Sequence, residues 1–190
     1  MGATPRLDFY SKLPADDLVG ELADLYERDF APAALKALTP EFYSRDRFIE
    51  RMADYEGSPR FALVVATIDD EVIGFLTAAN MIPGTAWWKD IDPEPSAEFI
   101  REDNARTVAI FDLMVTPDQR GHGYASLIHE AFLKERTEER VTLLSSEPQQ
   151  PAYAMWLHWG YKIIGSKATG DSGPRLDVFI RDLKDNKGAS

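Results

Sequence analysis

A chain of 190 residues with 44% apolar content is long enough to bury one sizeable core, and neither internal repeats nor low-complexity tracts interrupt it. Its 32 acids against 21 bases give a net charge of −11. That balance offers no broad basic face to nucleic acid or an anionic membrane; it suits a cationic substrate and serves solubility equally well. The absence of cysteine excludes disulfides, thiolate metal sites and a cysteine nucleophile. With no secretory leader and no apolar run of transmembrane length, the expected location is cytoplasmic.

In chain order, Leu13-Pro14-Ala15-Asp16-Asp17 reads as a helix start leading into Leu18, Leu22, Leu25, Tyr26 and Phe30 at helical spacing. A second helix is predicted over Ser44 to Tyr55. Phe61 to Ile68 and Val72 to Ala79 read as the strands of a hairpin turning at Asp69-Asp70. Between Asn80 and Arg106 the chain is irregular, rich in proline and carrying paired tryptophans, Trp87 and Trp88, so a lid or rim is expected there. Those indoles either face an acceptor or pack the loop against the core or a second subunit.

Ile110 to Val115 is a short apolar run suited to a buried strand, stopped by Pro117, which has no N–H to give to a ladder. Apolar residues recur at Leu127, Ile128, Ala131 and Phe132, which starts a helix near Tyr124. The intervening Arg120-Gly121-His122-Gly123-Tyr124-Ala125 therefore sits on a helix N-terminus, where unpartnered N–H groups and the helix dipole favour a pyrophosphate and glycines let the backbone approach it. A plain turn with two glycines would read the same way. The Rossmann fingerprint fails because Ser126 stands where a third glycine or alanine is needed, and no Gly-Lys-Ser/Thr completes a P-loop. The histidines His122, His129 and His158 lack ligand spacing, so no metal is expected, and Ser126 with His129 lacks a nucleophile elbow.

Val141 to Ser145 follows as a further strand, then a helical segment, and Asp185 to Ser190 forms a polar tail, so one domain is expected over residues 1–184. The run Arg-x-x-Gly-x-Ala at Arg120 to Ala125, preceded by Asp112-Leu-Met-Val-Thr-Pro117, resembles motif A of the GCN5-related N-acetyltransferases, the GNAT superfamily. That family's second motif, Asn-x-x-Ala-x-x-x-Tyr-x-x-x-Gly-Phe, is similar to Gln149, Ala152, Trp156, Gly160 and Tyr161 here, with Gln149 and Trp156 as departures. The resemblance spans residues 60 to 183. It implies an α/β (α+β) fold: a mixed, mostly antiparallel twisted sheet of six to seven strands flanked by helices and splayed between strands 4 and 5.

It also implies acetyl transfer from acetyl-CoA to a primary amine of a small molecule by direct attack. Backbone groups of Leu113, Met114 and Val115 would bond the pantetheine arm, and those of Arg120, Gly121, His122, Gly123, Tyr124, Ala125 and Ser126 the pyrophosphate, with Gln149 and Trp156 also beside the cofactor. The attacking amine must shed a proton, and Asp112 stands where one branch of the family carries a catalytic aspartate; Glu147 is a second choice or an acceptor contact, alongside Trp87 and Trp88. Asp112 could equally be a structural acid at a strand bulge. Trp156 replaces the usual acid for the leaving thiolate, so Tyr153, one turn earlier, or water takes that role. Two other readings stay open: a non-catalytic, acyl-CoA-binding regulatory relative, and a protein N-terminal or lysine acetyltransferase. A homodimer is expected by analogy alone.

Overall fold

The computed structural model describes residues 3–30, 40–146, 151–168 and 175–183. Glu147, Gln149 and the expected polar tail lie outside them. Seven strands are hydrogen-bonded in the order β1 (Arg6–Tyr10), β2 (Ala62–Ile68), β3 (Glu71–Asn80), β4 (Thr107–Val115), β5 (Arg140–Ser145), β7 (Arg175–Asp182), β6 (Lys162–Ala168). Only β4 and β5 among the paired strands with a described register run parallel; β1 with β2, β2 with β3, β5 with β7 and β6 with β7 are antiparallel. The mixed, mostly antiparallel sheet of six to seven strands expected from the resemblance is thus present, with seven strands.

The described residues fall into two compact units, one within 1–32, 40–79 and 110–136, the other within 80–109 and 137–190. Strand β4 contributes Thr107–Ala109 to the second and Ile110–Val115 to the first. Its parallel ladder with β5 is short, pairing Thr107, Val108 and Ala109 with Arg140, Val141 and Thr142.

In the first unit, β2 and β3 are buried on both faces, which explains why they read as near-continuous apolar runs rather than alternating ones. Their turn is Asp69-Asp70, both at positive φ, the geometry of a two-residue hairpin whose twist matches its strands. Helix α1 (Asp16–Leu25) starts with two acids in its first turn and buries Val19, Leu22, Ala23 and Leu25. The α-helix ends sooner than the spacing suggests, because the chain widens into a π-turn over Tyr26–Phe30, and Tyr26 is buried in the core. Helix α2 (Arg45–Glu56) is capped by Ser44, whose hydroxyl accepts from the Arg47 amide. It turns Phe48, Arg51 and Met52 inward. Phe48 meets Phe75 of β3 edge to face with ring centroids 5.6 Å apart. Helix α3 (Tyr124–Lys134) buries Ile128 and Phe132.

Gly74 lets β3 and β4 lie close: a Cβ there would sit 2.4 Å from the Met114 carbonyl oxygen. The Thr116 amide donates to the Ile73 carbonyl at 2.9 Å and fastens the end of β4.

In the second unit the irregular stretch is no loose lid. Trp88 and Ile91 pack with Val178 and Ile180, and Trp87, Phe99, Leu144 and Ile164 cover them. Lys167 Nζ donates to the carbonyls of Ala86 and Trp87 at 3.0 and 2.8 Å. Asp92 and Ser166 exchange backbone hydrogen bonds of 2.9 and 3.0 Å, an approach that Gly165 permits, since a Cβ there would meet Asp92 O at 2.9 Å. The segment is a tied and partly buried part of its unit. Its tryptophans and Lys167 supply the fastening that its lack of regular structure denies it.

Candidate functional site

In the first unit, alternation along β4 turns Asp112 into the protein, where its residue is 8% exposed. Thr77 on β3 donates its hydroxyl to Asp112 Oδ2 at 2.7 Å, and the Tyr26 hydroxyl also bonds this carboxyl. Burial pushes the Asp112 carboxyl above the ordinary aspartate range; the positive charge of Arg51 and the bonds from Thr77 and Tyr26 oppose the rise without cancelling it. A carboxyl tuned upward holds a proton more firmly than a solvated one, which suits a proton acceptor working near neutrality. The same pocket raises its tyrosines. Desolvation, then the Asp112 charge, push Tyr43 up to about 12, and Tyr26 and Tyr55 rise further for the same leading reason. These phenols therefore stay neutral at physiological pH and serve as donors.

Arg51 is the residue that sequence reasoning missed. It occupies the apolar face of α2 with Phe48, Met52 and Tyr55, three or four residues apart, and is itself 8% exposed. Its guanidinium carbon lies 4.2 Å from the Phe42 ring centroid, 5.2 Å from that of Tyr26 and 5.9 Å from that of Phe48. Nη1 donates to the Phe42 carbonyl at 2.6 Å. The only available signal was a cation interrupting an apolar stripe, a position more often read as the solvated edge of a helix. Tyr55 stacks on Phe111 of β4 with ring centroids 3.9 Å apart, and both rings are half-buried.

Beyond Val115 the chain makes a short 3-10 turn over Pro117–Gln119 and enters α3 through Gly121 and Gly123 at φ of 81° and 84°. Nothing lies within 4 Å of where a Cβ would stand on either glycine, so the loop backbone is open to a ligand. Gly123 is the N-cap and has no side chain to satisfy the first-turn amides of α3, which point outward with the positive end of the helix dipole. Around this backbone the side chains mostly brace the loop. Arg120 Nε donates to the Val115 carbonyl at 3.0 Å and its Nη2 to the Asp29 carbonyl at 3.4 Å. His122 Nδ1 is 3.2 Å from the Gln119 carbonyl and its ring stacks on Tyr124. Tyr124 is buried and donates to the Ala3 carbonyl at 2.9 Å. The Arg120 amide itself donates to the Pro117 carbonyl at 3.4 Å, so of these three residues His122 and Tyr124 are the ones that offer amides to a cofactor. Ala125 and Ser126 are partly exposed in the first turn of α3, and Leu113, Met114 and Val115 place their backbone on β4.

In the second unit, helix α4 (Ala152–His158) carries the remaining described candidates. Trp156 is a core residue, packed edge to face on Trp159 and Tyr161. The Tyr153 hydroxyl donates to Asp177 Oδ2 on β7 at 2.5 Å, so its proton is already directed at a carboxylate. Trp88 is 4% exposed and its indole N–H donates to Glu102 Oε1 at 2.9 Å. With Gly84, Lys89, Asp90, Glu94 and Ile100 it lines an open groove of about 560 Å³. The Trp87 indole N–H donates to Thr142 Oγ1 at 3.3 Å. Both tryptophans thus have anchoring bonds within their unit. Glu102 Oε1 also accepts from Thr107 Oγ1 and from Arg140 Nη2, at 2.8 and 3.0 Å, in a buried network on which Phe99 and Trp88 stack.

The model of the acetyltransferase (GNAT) family matches residues 21–161. No curated protein matches the sequence. Among solved structures, an aminoglycoside 6'-N-acetyltransferase complexed with coenzyme A is similar with a TM-score of 0.63 at 16% identity, over 94% of this chain and 97% of that one. An acetyltransferase from Thermus thermophilus gives a TM-score of 0.61 at 18% identity over 93% and 96%. The PaiA N-acetyltransferase from Thermoplasma acidophilum, in complex with coenzyme A, gives 0.59 at 10% identity over 93% and 99%. At these identities the likeness is one of fold.

Proposed function

The chain belongs to the acetyltransferase (GNAT) family, and from that premise we propose that it moves an acetyl group from acetyl-CoA to a primary amine of a small molecule by direct attack. One observation carries the reading: a single strand holds the buried, upward-tuned Asp112 and then opens into a glycine loop whose helix has no side-chain cap. The residues fit acetyl-CoA, since the open space at Gly121 and Gly123 admits a pyrophosphate to the amides of the loop and of Tyr124, Ala125 and Ser126. The backbone of Leu113 to Val115, past the end of the β4–β5 ladder at Ala109, offers main-chain groups to an extended arm. Coenzyme A in two of the similar structures supports the same ligand class.

Acetyl-CoA supplies an activated carbonyl. Asp112 accepts a proton from the incoming ammonium, so that a neutral nitrogen forms the new C–N bond while the C–S bond breaks and the electron pair leaves on sulfur. Thr77 and Tyr26 hold the carboxylate once it is charged. Because the Trp156 indole does not ionise at physiological pH and Tyr153 is directed at Asp177, the thiolate leaves without a phenol and takes, through solvent, the second proton that the nitrogen sheds as the amide forms.

The test is calorimetric titration with acetyl-CoA and with CoA, joined to free-thiol release against aminoglycosides, polyamines, amino acids and a lysine-bearing peptide. Binding with release that depends on a small amine is the expected result. Release with the peptide alone would transfer the assignment to protein acetylation. Binding without release for any acceptor would favour the non-catalytic relative, and no binding would remove the glycine loop as the coenzyme site.

A further inference from the structure

The buried guanidinium of Arg51 is only partly used. Nη1 donates to the Phe42 carbonyl, yet Nε and Nη2 are both buried and, among the described residues, meet no atom with hydrogen-bond geometry. The Tyr55 phenol feels the Arg51 charge and a hydrogen bond from its side chain, yet among the described residues Nε and Nη2 stay without a partner of good geometry. Nε and Nη2 form one edge of the guanidinium plane, the pair of parallel donors that matches the two oxygens of a carboxylate. A buried cation with its fork idle is costly, and a folded protein leaves such donors empty chiefly where something arrives to meet them.

We propose that the Nε/Nη2 edge of Arg51 receives a carboxylate of the acceptor, so that the acceptor is an amine that also carries a carboxylate, of the amino-acid class. The inference rests on the transferase reading above and names the substrate class of the same site. Arg51 and Asp112 lie in one unit, share Tyr26 as a neighbour and interact through their charges. An ammonium directed to Asp112 and a carboxylate directed to Arg51 cancel both buried charges, which neither a polyamine nor an amino sugar does. A phosphate is the poorer match, because a dianion beside the Asp112 carboxylate leaves the pocket negative. Phe42, Tyr26 and Phe48 hold the guanidinium from its faces and so fix the direction of its edge. Half-buried Phe42, Tyr55 and Phe111 lie at the exposed side of the cluster, where an apolar side chain of the acceptor would find contact.

Two measurements separate this inference from the function on which it rests. In thiol release, wild-type protein is given matched pairs, an α-amino acid and the amine left when its carboxylate is removed, such as phenylalanine and phenethylamine or lysine and cadaverine. The amino acid of a productive pair is expected to show about a hundredfold higher kcat/KM, carried mainly by KM, and in Arg51→Lys, which keeps the charge but loses the fork, the two members should converge. Equal use of both members by wild type would overturn the proposal, as would an Arg51→Lys defect confined to kcat and identical for both.

In the second measurement, the N-acetyl forms of the same amino acids and of the same amines are titrated calorimetrically, which requires no turnover. Carboxylate-dependent binding that falls tenfold or more in Arg51→Lys supports the inference even if no acceptor is acetylated, in which case only the transferase reading fails. Circular dichroism of Arg51→Lys checks its fold, and Arg51→Gln, of shorter reach and neutral, is the second variant if it is needed. If carboxylated and uncarboxylated ligands bind alike, the idle fork has no carboxylate to hold.

Discussion

Thr77 on β3 donates its hydroxyl to Asp112 Oδ2 on β4 across 2.7 Å, a bond available in full strength only to the charged carboxylate. Burial raises Asp112 and this bond resists the rise. Thr77→Val, which removes the donor and keeps the volume, should therefore move the acid limb of the kcat/KM profile to higher pH and cost about 1 kcal/mol of stability. A pH–rate series on both proteins checks it; an unmoved limb would mean that Asp112 does not set that limb.

Asp112→Asn keeps the shape and an acceptor for Thr77 but cannot take a proton. Turnover should fall by about 10² to 10⁴ with little change in the affinity for acetyl-CoA. Stability should move as well, with a definite sign. The folded state holds the Asp112 proton to higher pH than the unfolded chain does, so its contribution is full below about pH 4 and is lost as pH rises through the raised value. Relative to Asp112→Asn, the wild type should lose stability across that window. Denaturant titrations at stepped pH would expose a flat difference, which would place the carboxyl in ordinary solvation.

Gly74→Ala should destabilise the first unit by about 2 kcal/mol or more, because the new methyl meets the Met114 carbonyl oxygen at 2.4 Å and backbone cannot swing aside as a side chain can. Since Met114 also belongs to the proposed pantetheine strand, acetyl-CoA affinity should drop along with the melting temperature. A melt and a titration on one preparation measure both.

Arg140→Met removes the only positive partner of Glu102 found among the described ion pairs, and Glu102 Oε2 already lacks a hydrogen bond within the described residues. Leaving that carboxylate buried should cost about 3 to 5 kcal/mol. Replacing both, Arg140→Met with Glu102→Leu, should recover a large part of it, and a double-mutant cycle by chemical denaturation gives the coupling.

The parts of this chain that were legible in sequence are those decided by near neighbours. The hairpin announced itself through two strands about a turn of two aspartates, and the glycine loop through a proline stop before it and helical spacing after it. Those signals are local because turns, caps and amphipathic faces are local physics. What escaped depends on partners far along the chain. Arg51 reads as a surface charge until Phe42, Tyr26 and Asp112 close around it. Tyr153 reads as a candidate acid until Asp177, on β7, takes up its hydroxyl. Trp88 reads as a rim aromatic because nothing nearby in sequence foretells that Glu102, Thr107 and Arg140 will gather at its indole. Even the end of α1 was nonlocal in this sense, its π-turn placing Tyr26 against residues of α2.

Helix α3 begins on a residue that brings no oxygen of its own. A serine or aspartate in the extended cap conformation steadies a helix by about 1 kcal/mol and occupies its amides for good, but the φ of 84° at Gly123 disfavours those residues here. With glycine there, the steadying is deferred to whatever anion arrives, and occupancy becomes a thermodynamic quantity of the whole fold. A ligand at a hundred times its dissociation constant adds about 2.7 kcal/mol to the folded state, and at a thousand times about 4.1. The resistance of this protein to heat and proteolysis is thus expected to rise and fall with the supply of coenzyme around it, making its lifetime a readout of that supply.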